Sequence, residues 1–229
     1  KTAISWRRGY RIIPKFLMGK PTDVFAIKMN FLPIFLRNLL AGFIAHINNG
    51  SNKIYGLPEP DHKFGATHPT INSELLYKIR HGKIKPRVEI ERFEGKEVFF
   101  KDKSIEKFDV IIACTGFVLA HPFFDKKFLN YSEGPVPLYL KMFHPTYDNL
   151  YFIGMFQPLG CIWPGAEQQS KLTALALKGS WKRPANIDVL CEREVTHPHM
   201  KQINTSRHRI TVDFHRFIRD LKTQINKIA

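Results

Sequence analysis

The sequence predicts an α/β fold. Strand-length apolar runs bounded by turn residues crowd residues 88–113, and longer helix-like stretches lie at 24–47, 165–177 and 214–228. The two kinds alternate along the chain, as mixed helix-and-sheet folds require. With 229 residues, 44% apolar and 24% charged, the chain has globular composition and material for a sizeable core. That composition excludes a disordered chain.

Residues 2–6 are short and β-prone, and they run into Arg7-Arg8-Gly9, a strand ending in a basic turn. Residues 24–47 are the most apolar stretch. Lys28 and Arg37 break it and Pro33 sits inside it, which predicts one or two packed helices. Its longest uncharged run, 38–52, is too short to span a bilayer; a helix lying on a membrane is the alternative. Residues 55–70 carry Gly56, Pro58, Pro60, Gly65 and Pro69 and predict a long ordered loop. Asn72 or Ser73 is placed to cap a helix over 74–80 that Gly82 closes.

The runs 88–93 and 97–101 flank Glu94-Gly95 and predict a β-hairpin. Residues 108–113 follow as a buried strand, and 150–153 as another short strand after Asp148-Asn149. Residues 165–177 predict a helix with Ala and Leu on its packed side, and 214–228 a terminal helix. There is no internal repeat.

Thirty-five basic residues against twenty acidic leave a net charge of +15, unevenly spread. Residues 1–37 hold +7 and residues 182–229 hold +5. Charge of this kind suits phosphates, nucleic acid or a membrane surface. No nucleic-acid partner is inferred from charge alone. The three cysteines are scattered, which excludes a disulfide scaffold or structural zinc site and fits a reducing, cytoplasmic compartment. No secretory signal opens the chain, and a start at Lys-Thr-Ala-Ile-Ser reads as cut rather than begun.

Several chemistries lack their motif. None of the fourteen glycines forms GxG, and Gly160-Cys-Ile-Trp-Pro-Gly165 is followed by Ala-Glu where a nucleotide triphosphate loop needs Lys and Ser or Thr. Ten histidines form no HExxH frame, and no metal site is expected. No serine stands in a GxSxG elbow.

Three segments carry a pattern. Ser5-Trp6-Arg7-Arg8-Gly9 offers planar guanidinium donors at a strand end, suited to a ribose 2′-phosphate or simply to solvent. Residues 108–117, ending Ala113-Cys-Thr-Gly-Phe117, read as a strand closing in a small-residue turn that lets backbone approach a ligand or another strand. Asn149-Leu-Tyr-Phe-Ile-Gly154, Gln157-Pro-Leu-Gly160 and Pro164-Gly-Ala-Glu-Gln-Gln-Ser170 read as strand, glycine loop and helix N-terminus. The free N–H groups and positive dipole end of such a helix suit an anion.

Taken in order, these segments resemble the second half of a flavin-containing monooxygenase of the class B type. The resemblance also covers Ile13-Pro14-Lys15, Gly19-Lys20-Pro21-Thr22-Asp23, Tyr55-Gly-Leu-Pro-Glu-Pro-Asp61, His68-Pro-Thr-Ile71 and, more loosely, Arg207-His-Arg209 with Asp213. Cys114 departs from the family's Ala-Thr-Gly pattern. The resemblance implies a partial two-dinucleotide-binding-domain flavoprotein. Residues 1–112 would be the remainder of an NADPH domain with a helical insertion at about 24–47. Residues 113–180 would return into the FAD domain, and 181–229 would form a tail and helix.

It further implies FAD and NADPH as cofactors, and molecular oxygen and a small-molecule nucleophile as substrates. A C4a-(hydro)peroxyflavin would pass one oxygen atom to an amine nitrogen or sulfide sulfur. Arg7 and Arg8 would pair the NADPH 2′-phosphate, Thr115 and Gly116 would form a close crossing between domains, and Gly154, Pro164 and Gln169 would border the flavin. The family's glycine motifs and its polar group near the reacting flavin would lie upstream of Lys1, in an N-terminal half supplied in cis or in trans, so no catalytic residue is named. The alternatives are Baeyer–Villiger insertion into ketones, or a basic module that binds a membrane surface or polyanion without enzyme activity.

Overall fold

The computed structural model describes residues 1–158, 160–200 and 208–227, and these form two compact units, residues 1–114 and 115–229. Helices and strands mix as the sequence predicts. In the first unit β1 (Thr2–Ser5) lies parallel to β6 (Ile84–Arg87), and β2 (Ile12–Ile13) lies parallel to β5 (Thr70–Ile71). A small hairpin of β3 (Phe16–Leu17) and β4 (Lys20–Pro21) leads into α1 (Thr22–Lys28), a 3₁₀ turn, Pro33 and α2 (Ile34–Asn49). Pro33 divides the apolar stretch because it cannot supply the N–H that a continuous helix needs. Gly50, at φ +71°, stops α2.

The loop after Tyr55 is ordered by satisfied polar groups. The buried Asn52 donates its amide to the carbonyls of Tyr10 and Pro58, at 3.1 and 3.0 Å. Asn72 then accepts from the N–H groups of Glu74 and Leu75, 2.8 and 2.7 Å away, starting α3 (Leu75–Arg80) as its sequence position predicts. Ile12, Tyr55, Leu57, Leu76 and Ile79 bury together as this unit's core. The predicted hairpin is present, and a third strand extends it: β7 (Ile90–Glu94), β8 (Glu97–Phe100) and β9 (Ile105–Lys107) are antiparallel neighbours.

Residues 108–113 correct the sequence expectation. They form no strand, and Val110, Ile111 and Ile112 stand exposed. A strand needs a neighbour's row of N–H and C=O groups, and no described strand runs beside them. Residues 150–153 likewise contribute only one bridge, Tyr151 to Phe143.

In the second unit the parallel pair β10 (Gln157–Pro158) and β11 (Thr211–Val212) precedes α4 (Trp163–Leu177) and α6 (Phe214–Asn226) respectively, and these two helices pack on each other. Between them lies α5 (Ile187–Thr196), which local sequence patterning did not announce. Asp213 caps α6 by accepting from the Arg216 N–H at 2.9 Å. Phe143, Phe156, Leu172, Trp181, Cys191, Val212, Phe217 and Leu221 form the main core, with Phe143 stacked on Trp181 at 4.5 Å. Leu129, Tyr131, Val136, Leu138 and Phe152 form a second cluster. Leu159, Arg207 and the end of the expected terminal helix at 228 lie outside the described residues.

Gly165 is buried in the first turn of α4, where a Cβ would overlap the ring of the buried Phe156. Replacing it should force one or the other to move. Gly165→Ala is expected to cost about 1–3 kcal/mol, the range for overpacking a core. Urea denaturation measures this, and a variant as stable as the parent contradicts it.

Candidate functional site

The first candidate surface grows from β1. Register with β6 places Ser5 opposite Arg87, and the Ser5 hydroxyl donates to the Val88 carbonyl at 2.7 Å. The chain turns immediately afterwards at Arg7-Arg8. Gly9 is buried there, and a Cβ would collide with the backbone of Glu59 and Pro60. The glycine therefore permits a close approach that fixes the turn on the proline-rich loop. Arg7 is exposed and makes no ion pair among the described residues; Arg8 is half-buried. The hydrogen bond to His62 holds Asp61 below the usual carboxylate range, and the Arg8 charge adds to it.

The second candidate surface is built around Gln169. This α4 side chain is 0% exposed and both ends of its amide are used. Its Oε1 accepts from the Gly154 N–H at 2.8 Å, and its Nε2 donates to the Leu140 carbonyl at 3.0 Å. Gly154, at φ +80°, occupies backbone space that favours glycine. Pro164 stands exposed in the first turn of the same helix. The structure thus brings Gly154 and Gln169 into direct contact, with Pro164 on the same helix as Gln169. Thr115 and Gly116 belong to the same unit and lie in an exposed segment without regular structure.

Residues that sequence patterning missed complete this second surface. Leu140 and Lys141 sit consecutively at φ +51° and +55°, a costly conformation for residues with side chains. Helix α5 grips them. The Cys191 sulfur accepts from the Tyr139 N–H at 3.2 Å and its thiol faces the Phe143 carbonyl at 3.5 Å. Glu194, one helical turn on, accepts from the Leu140 N–H at 3.3 Å and pairs with the buried Lys141 ammonium at 3.2 Å. Burial pushes the Cys191 thiol up to about 11, so it stays protonated and serves as a bonding group rather than a nucleophile. Lys141 inside an otherwise apolar run, with Cys191 and Glu194 three positions apart, was the only sequence signal for this clasp.

Beside it opens a cavity of about 250 Å³ lined by residues that include Arg193, Glu194, His199 and Asp220. Within it Asp220 lies 3.4 Å from His199, whose burial favours the neutral imidazole, and 4.0 Å from Arg216. Among the described residues no group of three His, Cys, Asp or Glu side chains is arranged to hold a metal ion. No described helix is long and apolar enough to cross a membrane.

Comparison with known proteins gives the family. A family model described as flavin-binding monooxygenase-like matches residues 1–228. The chain belongs to the flavin-binding monooxygenase family. Relatives include the flavin-containing monooxygenase 5 of Rattus norvegicus, 32% identical over 168 residues, which are 71% of this chain and 31% of that protein. The Cavia porcellus flavin-containing monooxygenase 5 is 28% identical over 92% of this chain and 41% of its own length. A dimethylaniline monooxygenase (N-oxide-forming) 2 of Oryctolagus cuniculus is 29% identical over 82% of this chain and 37% of its own. The chain therefore matches about a third of the length of these relatives. Flavin-binding monooxygenases are oxidoreductases, and the α/β content of this chain fits a flavoprotein of that kind.

The Gln169 clasp yields a stability prediction. Gln169→Leu keeps the volume but orphans the Leu140 C=O, which is buried, and the Gly154 N–H, which is half-buried. A buried group left unbonded costs about 1–3 kcal/mol and the half-buried N–H less, so a loss of about 1–4 kcal/mol is expected in chemical denaturation. A loss under about 0.5 kcal/mol contradicts the clasp.

Proposed function

We propose that this chain is part of an NADPH- and FAD-dependent monooxygenase that places one oxygen atom of O₂ on a soft nucleophile, an amine nitrogen or sulfide sulfur. The observation that carries this reading is the family match across residues 1–228, joined by a relative whose name is N-oxide-forming. Within it, residues 1–112 serve the NADPH side, with 24–47 as an insertion, 113–180 serve the FAD side, and 181–229 form the tail. The reading applies to the whole protein, since residues other than these must supply the glycine loop that takes the FAD pyrophosphate; none of the fourteen glycines here forms GxG.

The donor chemistry present fits the cofactors in part. The exposed Arg7 and half-buried Arg8 form a turn rigidly seated by Gly9, and paired guanidinium groups are matched to a 2′-phosphate. Pro164 and the start of α4 present the positive end of a helix dipole, which suits the negative charge of a reduced flavin. When bound, the flavin activates oxygen with electrons delivered by NADPH, chemistry that no side chain supplies. Gln169 is engaged on both sides of its amide, so its role would be to hold Gly154 and its loop in place for a bound flavin. Thr115 and Gly116 serve where the chain passes from one cofactor side to the other.

Two measurements on the intact enzyme test this reading. N,N-dimethylaniline should be converted to its N-oxide with one NADPH consumed per product. Conversion of a ketone to an ester in its place moves the protein to Baeyer–Villiger chemistry. Arg7→Ala combined with Arg8→Ala should raise KM for NADPH at least about tenfold, the loss of roughly one strong charged contact. KM for NADH should stay within about twofold. An equal rise for both cofactors overturns the 2′-phosphate assignment.

A further inference from the structure

The cavity beside the clasp lies between α5 and α6 and holds about 250 Å³, room for roughly eight water-sized groups. Its walls carry Arg193 and Glu194 from α5, Arg216, Asp220 and Thr223 from α6, and His199 from the segment after α5. Most of these groups are already engaged. Glu194 accepts from the Leu140 N–H and pairs with Lys141, while Asp220 lies against His199 and Arg216. Thr223 donates its hydroxyl to the Arg219 carbonyl at 2.8 Å.

Two groups are left over. The His199 side chain is 8% exposed, and its ring meets the buried Phe217 ring with centroids 6.2 Å apart. Its Nε2 faces the Asp220 carboxylate at 3.4 Å, which favours the proton on that nitrogen. Nδ1 then keeps its lone pair, and this atom is buried with no hydrogen-bond partner. A buried acceptor left unbonded is costly. Burial also favours the neutral imidazole, the form in which Nδ1 can accept. The second group is Arg193, exposed at the rim of the cavity, which makes no ion pair among the described residues.

These two groups define a ligand. The planar fork of a guanidinium matches a carboxylate, and the lone pair on Nδ1 asks for a donor beside it. With Glu194 and Asp220 paired, the lining keeps one unmatched positive charge, so a single negative charge balances it. A second negative charge would meet the carboxylates of Glu194 and Asp220. A hydroxyl is the donor that leaves this balance unchanged. We propose that the α5–α6 cavity binds a small hydroxycarboxylate, its carboxylate on Arg193 and its hydroxyl donating to His199 Nδ1. Leu140 forms part of the wall, so an occupant stabilises the folded clasp and its binding is readable as a rise in Tm. The assignment does not rest on the oxygenase reading.

Thermal unfolding of the intact enzyme tests it, in rising concentrations of L-lactate, propionate or L-alanine with ionic strength held constant by sodium chloride. Lactate is expected to raise Tm saturably. Its apparent Kd should be at least about fivefold below that of propionate, which lacks the hydroxyl, and of L-alanine, which carries an ammonium in its place. Arg193→Gln changes an exposed residue, so the ligand-free Tm should match the parent while lactate binds at least about tenfold more weakly. His199→Phe keeps a ring and removes the acceptor, so lactate and propionate should bind that variant alike. No saturable effect of lactate, or equal affinity of the parent for lactate and propionate, overturns the proposal. So does tighter binding of L-alanine, undiminished lactate binding by Arg193→Gln, or a lactate preference that survives in His199→Phe.

Discussion

One buried amide organises the second unit. Gln169 joins α4 to two stretches of irregular backbone, the Gly154 loop and the 139–143 turn, by bonds at 2.8 and 3.0 Å. Each stretch would otherwise bury an unpaired backbone group, and burial makes that omission expensive. Helix α5 grips the same turn from another side through Cys191 and Glu194. Two consecutive left-handed residues with side chains persist only where the surroundings over-determine them, and here two helices do. The hydrophobic core wraps this polar knot: Phe143 continues directly from the strained turn and stacks on Trp181.

The first unit reaches order by a different route. Its strands are two to five residues long, so no single sheet dominates, and side-chain bonds to backbone stitch the long loop in place. Asn52 ties Tyr10 to Pro58, and Asn49 donates to the Ile12 carbonyl at 2.7 Å. Glu106 gathers Arg87, Lys85 and Lys1 at the paired end of β1 and β6. The Arg7-Arg8 turn inherits its position from both devices. Helix α2 half-buries Leu36, Leu40 and Ile44 and leaves Phe35, Leu39, Phe43 and Ile47 exposed.

Much of this was legible because its causes are local. Asn72, Pro33, Gly50 and Asp213 act within a few residues of the elements they begin or end, so α1 to α4 and α6 stand close to where the sequence places them. The 88–101 hairpin follows from its turn in the same way. The failures share a cause as well. Residues 108–113 have the β-branched, apolar character of a buried strand, yet pairing is a property of two segments and no described neighbour accepts them. Helix α5 was invisible since its segment is charged on its outer face and carries only Ile187 and Cys191 as fully buried residues.

The sequence by itself determined the α/β class, most helices and the family, because caps, turns and ordered short motifs are encoded in near neighbours. Gly154 and Gln169, singled out by the family resemblance, are joined by a hydrogen bond. Only the tertiary structure decided how they act. Gln169 is separated from Gly154 by fifteen residues and from Leu140 by twenty-nine, and Cys191 reaches back fifty-two to Tyr139. Hydrogen bonds across such distances depend on how helices pack, and packing also decided which apolar residues of α2 are half-buried and which, Phe35, Leu39, Phe43 and Ile47, stand exposed. Periodicity gives a helix its two faces; what each face meets is set by the rest of the fold.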